Sequence, residues 1–167
     1  LFSSGRQISA RLFAGKFLWQ NALENQFFDF NLNRPTDYLF QYRYLGRSET
    51  AGIYSQQFIP AEGGFKSIFA QSTANDYMAS LNSSMGVWKW IELYGDIGVL
   101  KNYNLDANAY FDSGIKLNFS PDYLEIYLPL FSSNGFEFMQ PKFAAKIRFN
   151  LDPSFSTLTS LFTRKWF

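Results

Sequence analysis

The chain has 167 residues, with 20% aromatic residues, 17% charged residues and a net charge of +1. This length fits one domain, and so small a net charge does not create a field that attracts nucleic acid. The chain has neither Cys nor His, which excludes disulfides, a conventional zinc site and a Ser-His-Asp triad. No run of about 18 apolar residues is present, which excludes a transmembrane helix.

The first half of the chain contains four predicted strands, recognised by the alternation of apolar and polar residues. They cover about Arg6–Phe17, Asp37–Leu45, Ala51–Ile59 and Tyr77–Met85. The third strand alternates poorly and stops at the turn-forming residues 60–64. The residues that follow this break fit either a loop or a short extra strand.

Four strands with a clearer period of two follow in the second half. They cover Ile91–Val99, Phe111–Phe119, Leu124–Leu130 and Phe143–Leu151. Strands of about 9–11 residues span a bilayer, whereas strands of soluble proteins average about 5–6 residues. The apolar face of these strands is the predicted lipid face: Ile91, Leu93, Ile97, Val99, Phe111, Ile115, Leu117, Phe119, Leu124, Ile126, Leu128, Leu130, Phe143, Ile147 and Phe149.

The opposite face of the same strands carries both acids and bases. In a barrel of about eight strands, side chains fill the lumen, and buried ions must then be paired. The predicted lumen charge network is Glu92, Asp96, Asp112, Lys116, Glu125, Lys146 and Arg148. The alternative use of its acids is a carboxylate pair or a cation site. No residue is assigned to catalysis, to a cofactor or to a metal.

The connections between the predicted strands alternate in length. The short ones are Gly46–Thr50, Gly86–Lys89 and Ser120–Asp122, and this asymmetry is typical of bacterial outer-membrane barrels with short periplasmic turns. Trp and Tyr prefer the headgroup layer, because their rings are apolar while one polar atom stays hydrated. The predicted aromatic girdle flanks the short turns and the C-terminus: Trp88, Trp90, Phe119, Tyr123 and Trp166.

The period changes after Leu151. Asp152 and Pro153 are typical of a helix start, and an apolar stripe follows them. We therefore expect a barrel over residues 1–151 and a short amphipathic helix or tail over residues 152–167. Because the chain starts at Leu1 without a signal peptide, we expect a mature segment or a fragment of a longer protein.

Periodicity alone does not distinguish the inside of a barrel from its outside. A soluble lipocalin-like barrel also alternates, but its apolar face points inward. The polar face here is rich in Tyr, Gly and Asn, where a hydrated surface would carry more Lys and Glu. The sequence thus favours an all-β fold, an antiparallel up-and-down transmembrane β-barrel of about eight strands in a bacterial outer membrane.

Several strings of residues resemble a known family. Residues 5–13, 34–40, 46–50, 146–149 and 161–167 resemble the C-terminal region of gluzincin-type, zinc aminopeptidase-like metallopeptidases from Flavobacteria and related Bacteroidota. The resemblance implies an upstream peptidase domain with a His-Glu-x-x-His zinc site. No residue of this chain matches that motif, so zinc is implied only for the parent protein.

Three functions remain open at this point. The leading hypothesis is a membrane anchor, a plugged barrel that holds the peptidase domain at the outer membrane. The second is a stand-alone structural or partner-binding subunit of an outer-membrane assembly, and the third is a soluble ligand-binding barrel. The expected partners are outer-membrane lipid and other outer-membrane proteins, with no nucleic acid.

Overall fold

The computed structural model describes residues 7–18, 30–32, 58–59, 64–120 and 124–151. Within these ranges the chain is built from β-strands and two 3₁₀ helices, and it has no α-helix. The strands are β1 Ile8–Lys16, β2 Phe30–Asn31, β3 Phe58–Ile59, β4 Thr73–Ala74, β5 Tyr77–Trp88, β6 Ile91–Lys101, β7 Asn108–Ser120, β8 Leu124–Ser132, β9 Gly135–Phe136 and β10 Arg148–Leu151. None of the described residues belongs to a helix that could cross a membrane.

One large sheet dominates the structure. Its strand order is β1-β5-β6-β7-β8-β10-β3, with β9 paired to β8, while β2 and β4 form a separate two-stranded sheet. Strands β5 to β8 form an antiparallel meander, and its first turn contains only Lys89 and Trp90. The prediction of an all-β fold is confirmed, and the sheet is mostly antiparallel, but β10 and β3 pair in parallel, with Phe149 opposite Phe58. Four of the predicted strands correspond to β5, β6, β7 and β8.

The neighbour of β1 differs from the up-and-down order. That order places the strand predicted at Asp37–Leu45 beside the first strand, but β1 pairs with β5, from Ile8 opposite Met85 to Lys16 opposite Tyr77. Alternation fixes which face a side chain occupies and does not specify the partner strand. Residues 37–45, most of 51–59 and the helix predicted at 152–167 lie outside the described ranges. Within those ranges the sheet is open, with β1 and β3 at its edges.

The prediction of a strand at Phe143–Leu151 is correct only for its second half. Residues Phe143–Lys146 form a 3₁₀ helix, and the strand begins at Arg148. The chain turns at Lys142, which has a left-handed backbone with φ 61°, and the Ala145 N–H donates to the Lys142 carbonyl. Lys146 is held by Glu137, so a tertiary contact overrides the weak alternation of this Ala-rich stretch.

The two faces of the large sheet differ in character. The inner face carries polar and charged side chains and is buried, whereas the outer face carries the exposed aliphatic and aromatic side chains. A small apolar core covers the inner face at the end of β5 and β6 remote from the Lys89–Trp90 turn. Its buried members are Phe30, Leu32, Phe65, Phe69, Ala74, Met78 and Leu100.

Candidate functional site

The candidate site is the charged centre of the inner face. Because side chains alternate along each strand, β6, β7 and β8 project their charged residues to the same side. Five predicted members of the lumen charge network are buried there: Asp96, Asp112, Lys116, Glu125 and Arg148. The other two, Glu92 and Lys146, are partly buried.

In one half of this centre, Lys116 contacts two carboxylates. Its ammonium nitrogen lies 2.7 Å from Glu125 Oε1 and 3.4 Å from Glu92 Oε2. The other carboxylate oxygen of Glu125 accepts hydrogen bonds from Tyr127 Oη at 2.8 Å and from Asn150 Nδ2 at 2.9 Å. Lys116 and Glu125 therefore neutralise each other, and Glu125 accepts further hydrogen bonds, which is the condition for burying ions without a large penalty.

The other half is held by residues 64–70, which we name the inner segment. Lys66 Nζ lies 2.8 Å from Asp96 Oδ2. The backbone N–H groups of Lys66 and Ser67 both donate to Asp112 Oδ2, at 2.6 and 2.7 Å. The inner segment thus supplies an ammonium group to one aspartate and two backbone donors to the next.

Further contacts fix Lys66 from other strands. Arg148 Nε donates to the Lys66 carbonyl at 3.1 Å. The Lys66 ammonium also lies 4.9 and 5.1 Å from the ring centroids of Tyr94 and Tyr127, where the negative faces of the rings attract a cation. Sequence reasoning missed Lys66, because it lies in a loop without periodicity; the only signal was an apolar and basic stretch directly after the glycines at 63–64.

Lys146 belongs to a different group of residues. It forms an ion pair with Glu137 and a hydrogen bond with Gln140, and Ser132 also donates to Glu137. We name Ser132, Asn134, Glu137, Gln140 and Lys146 the Glu137 cluster. Burial raises the pKa of Glu137, but the hydrogen bonds from Lys146 and Ser132 outweigh this effect, so the pKa lies below its usual value.

The predicted lipid-face residues lie on the outer face wherever their side chains are described. Leu93 is 45% and Ile97 56% exposed, and most of the others are half-buried against neighbouring side chains. Phe143 differs from the others because it lies in the 3₁₀ helix Phe143–Lys146 and not on a strand of the sheet. The outer face continues onto β1, where Leu12 is 77% exposed. The side chain of Phe119 lies outside the described part.

Of the predicted aromatic girdle, two residues can be placed. Trp88 is 70% exposed and Trp90 is 51% exposed, and both lie at the short turn between β5 and β6. The predictions for Tyr123 and Trp166 lie outside the described residues.

The alternative use of the acids was a carboxylate pair or a cation site. No group of three or more acidic, His or Cys side chains within the described ranges could hold a metal ion. Asp96 and Asp112 do lie opposite each other on β6 and β7, but both are bound by the inner segment. Glu92 lies apart from them, beside Lys116 and Asn118.

Comparison with known proteins gives no relative. No family model, no curated protein and no solved structure matches the chain.

Proposed function

We propose that this chain is a transmembrane β-barrel of the bacterial outer membrane, with a lumen plugged by its own charged side chains and by the inner segment. The observation that carries the proposal is the distribution of side chains on the large sheet, which is the reverse of that in a soluble protein. Asp112, Lys116 and Glu125 are buried, whereas Leu93 and Ile97 are exposed. In water, exposed apolar area costs about 25 cal/mol per Å². In a bilayer the same distribution is favourable, since lipid covers the apolar face.

Closure of the barrel is part of this proposal. In the hydrocarbon core every backbone N–H and C=O must be paired internally, so a spanning sheet needs a partner for each edge. The edges of the described sheet belong to β1 and β3. The strand that the sequence predicts at Asp37–Leu45 is the proposed partner that connects them.

We further propose that the barrel anchors an upstream domain. The support is the resemblance of residues 5–13, 34–40, 46–50, 146–149 and 161–167 to the C-terminal region of zinc aminopeptidase-like metallopeptidases, which implies that the enzymatic activity and the zinc would belong to the parent protein. This chain would then provide location and no catalysis. Its expected partners are outer-membrane lipid and neighbouring outer-membrane proteins.

Refolding into lipid tests the barrel. The purified chain should float with phospholipid vesicles on a density gradient, resist protease there, and migrate faster on SDS gels when unheated than when boiled. Planar bilayers should show little conductance, because the charges of the lumen are paired. A chain that stays monomeric and folded in buffer without detergent would support the soluble ligand-binding barrel, and large stable channels would support an open pore.

Cell fractionation tests the anchor. Deleting this chain from the parent protein should release the remainder from the outer membrane while its turnover of a small soluble substrate stays unchanged. A parent protein that remains in the membrane after the deletion would contradict the anchor. A signal peptide that ends just before Leu1 would support the stand-alone subunit.

A further inference from the structure

Four phenylalanine rings form a continuous row on the outside of the molecule, near the end of β8. Phe111 lies on β7 and Phe131 on β8. Phe136 follows in β9, and Phe138 in the 3₁₀ helix Glu137–Met139. The centroids of successive rings are 5.1, 4.9 and 5.8 Å apart, which is the range in which aromatic rings attract one another. We name these four residues the aromatic row.

Every ring of the aromatic row remains partly exposed. The exposed fractions are 37%, 41%, 56% and 46% in chain order from Phe111 to Phe138. By contrast, Phe65 and Phe69 of the inner segment are only 2% and 4% exposed, so the chain does bury aromatic rings elsewhere. A patch of contiguous exposed apolar side chains is typical of a surface that contacts another molecule or a membrane.

The segment that carries the last two rings directs its apolar and its polar side chains to opposite sides. Glu137 lies between Phe136 and Phe138 in the chain, but it is only 1% exposed whereas both rings are exposed. Its carboxylate pairs with Lys146 and accepts a hydrogen bond from Ser132. The polar side of the segment is thus satisfied within the protein, and the rings form the side that is available for contact.

The aromatic row continues the outer face and extends away from the two exposed tryptophans. Phe111 lies opposite Ile97 of β6, whereas Trp88 and Trp90 lie at the turn between β5 and β6. β6 and β8 both run away from that turn, and the last two rings of the row follow the end of β8. β6 has 11 residues. At about 3.3 Å per residue and a tilt of about 40°, such a strand rises about 25 Å, which is the height of the apolar band of a membrane barrel.

We propose that the aromatic row lies in the lipid headgroup layer at the second boundary of the apolar band, opposite the boundary at Trp88 and Trp90. Aromatic side chains are enriched at both boundaries of membrane barrels, and amphipathic segments bury such side chains at the edge of the acyl chains. The partner of residues 135–139, which follow the long strands, is then the bilayer surface. This inference rests on the proposed membrane location and adds a lipid contact outside the long strands.

Spin labels on single cysteines test this contact, since the chain has no native Cys. Phe136→Cys and Phe138→Cys place a label within the row, and each leaves three rings in place. Met139→Cys, next to the row and 72% exposed, is a third site that leaves all four rings intact. Ile97→Cys, in the middle of β6, is the reference for the lipid interior. Asp106→Cys, in the exposed connection between β6 and β7, is the reference for water.

The labelled full chain is refolded into phosphatidylcholine vesicles. Collisions of each label with oxygen, which prefers lipid, are compared with collisions with a water-soluble nickel chelate. We expect the ratio of oxygen to nickel collisions at the row to be several-fold higher than at Asp106→Cys and lower than at Ile97→Cys.

Two results overturn the inference. Row labels that collide with nickel as often as Asp106→Cys would place the row in water. Row labels shielded from both reagents would show that protein, such as a second copy of the chain, covers it. The label at Ile97→Cys separates this inference from the membrane proposal. If that label lies in lipid while the row lies in water, only the present inference fails, and if both lie in water, the membrane proposal fails as well.

Discussion

Lys66 and Asp96 form an ion pair of 2.8 Å whose side chains are 4% and 1% exposed. Lys66 comes from the inner segment, and Asp96 from the middle of β6. A charged strand residue is thus neutralised by a residue outside the strands, which folds back over the inner face. This pairing explains how a sheet with a charged interior can be stable, since each ion would otherwise lose its hydration without compensation.

Breaking this pair should cost far more than breaking an exposed one. Lys66→Met leaves Asp96 as an uncompensated buried charge, so the free energy of unfolding should fall by about 3–5 kcal/mol. The double variant Lys66→Met/Asp96→Leu should recover most of the loss, because both charges are then removed. Urea unfolding in lipid vesicles measures both variants.

The control for this cycle is the pair of Lys101 and Asp76, whose nitrogen and oxygen are 3.9 Å apart and whose side chains are more exposed. Lys101→Met should cost less than about 1 kcal/mol, as is usual for a solvated pair. Equal losses for Lys66→Met and Lys101→Met would show that the interior pair is not buried as the structure has it.

Arginine on the outer face should interfere with insertion. Ile97 lies in the middle of β6 with its side chain 56% exposed, and an arginine at the middle of a bilayer costs about 2–4 kcal/mol. Ile97→Arg should therefore lower the fraction of chain that floats with vesicles and resists protease. Asp106→Arg, in the exposed connection between β6 and β7, is the control and should insert normally. Equal insertion of both variants would contradict a lipid-facing outer face.

Two glycines of the sheet should respond differently to replacement by alanine. A Cβ at Gly114 would lie 2.1 Å from the Leu128 carbonyl oxygen and 2.9 Å from Tyr94 Oη, whereas a Cβ at Gly86 meets nothing closer than 3.6 Å. Gly114→Ala forces β7, β8 and the Tyr94 ring apart and should cost about 1–3 kcal/mol, as overpacking does. Gly86→Ala should change the free energy of unfolding little. If urea unfolding gave equal values for the two, the close packing at Gly114 would be wrong.

The alternation of the sequence predicted the long strands and their two faces because both depend on the local period of two. It placed Asp112, Lys116 and Glu125 on one side without knowledge of any partner strand. It could not show that β1 pairs with β5, since about sixty residues separate them along the chain and pairing depends on the whole sheet.

Less can be predicted from the sequence about the residues that complete the interior. Lys66 and Glu137 lie in segments with no periodicity. Lys66 pairs with Asp96 of β6, and Glu137 pairs with Lys146, nine residues further along the chain. At Phe143–Lys146, alternation predicted a strand, whereas the structure has a 3₁₀ helix whose last residue, Lys146, pairs with Glu137. A local pattern assigns a face, whereas the buried pair of Lys66 and Asp96 joins two positions that are 30 residues apart along the chain.

The Glu137 cluster should loosen in acid. The pKa of Glu137 is lowered in the folded chain relative to about 4.3 in an unfolded one, so folding favours the ionised form. The stability that this carboxylate contributes is therefore fully present above the unfolded value and is lost as the pH falls through the lower, folded value.

Hydrogen exchange of residues 133–147 measures this loss. Between neutral pH and pH values below about 4.3, protection of this segment, corrected for the intrinsic rate, should decrease, because protonated Glu137 no longer pairs with Lys146. Glu137→Gln should show low protection at neutral pH and little further change in acid. Asp106→Asn, at an exposed loop position, should keep the pH response of the unaltered chain. A response that persists in Glu137→Gln would assign the acid sensitivity to another group.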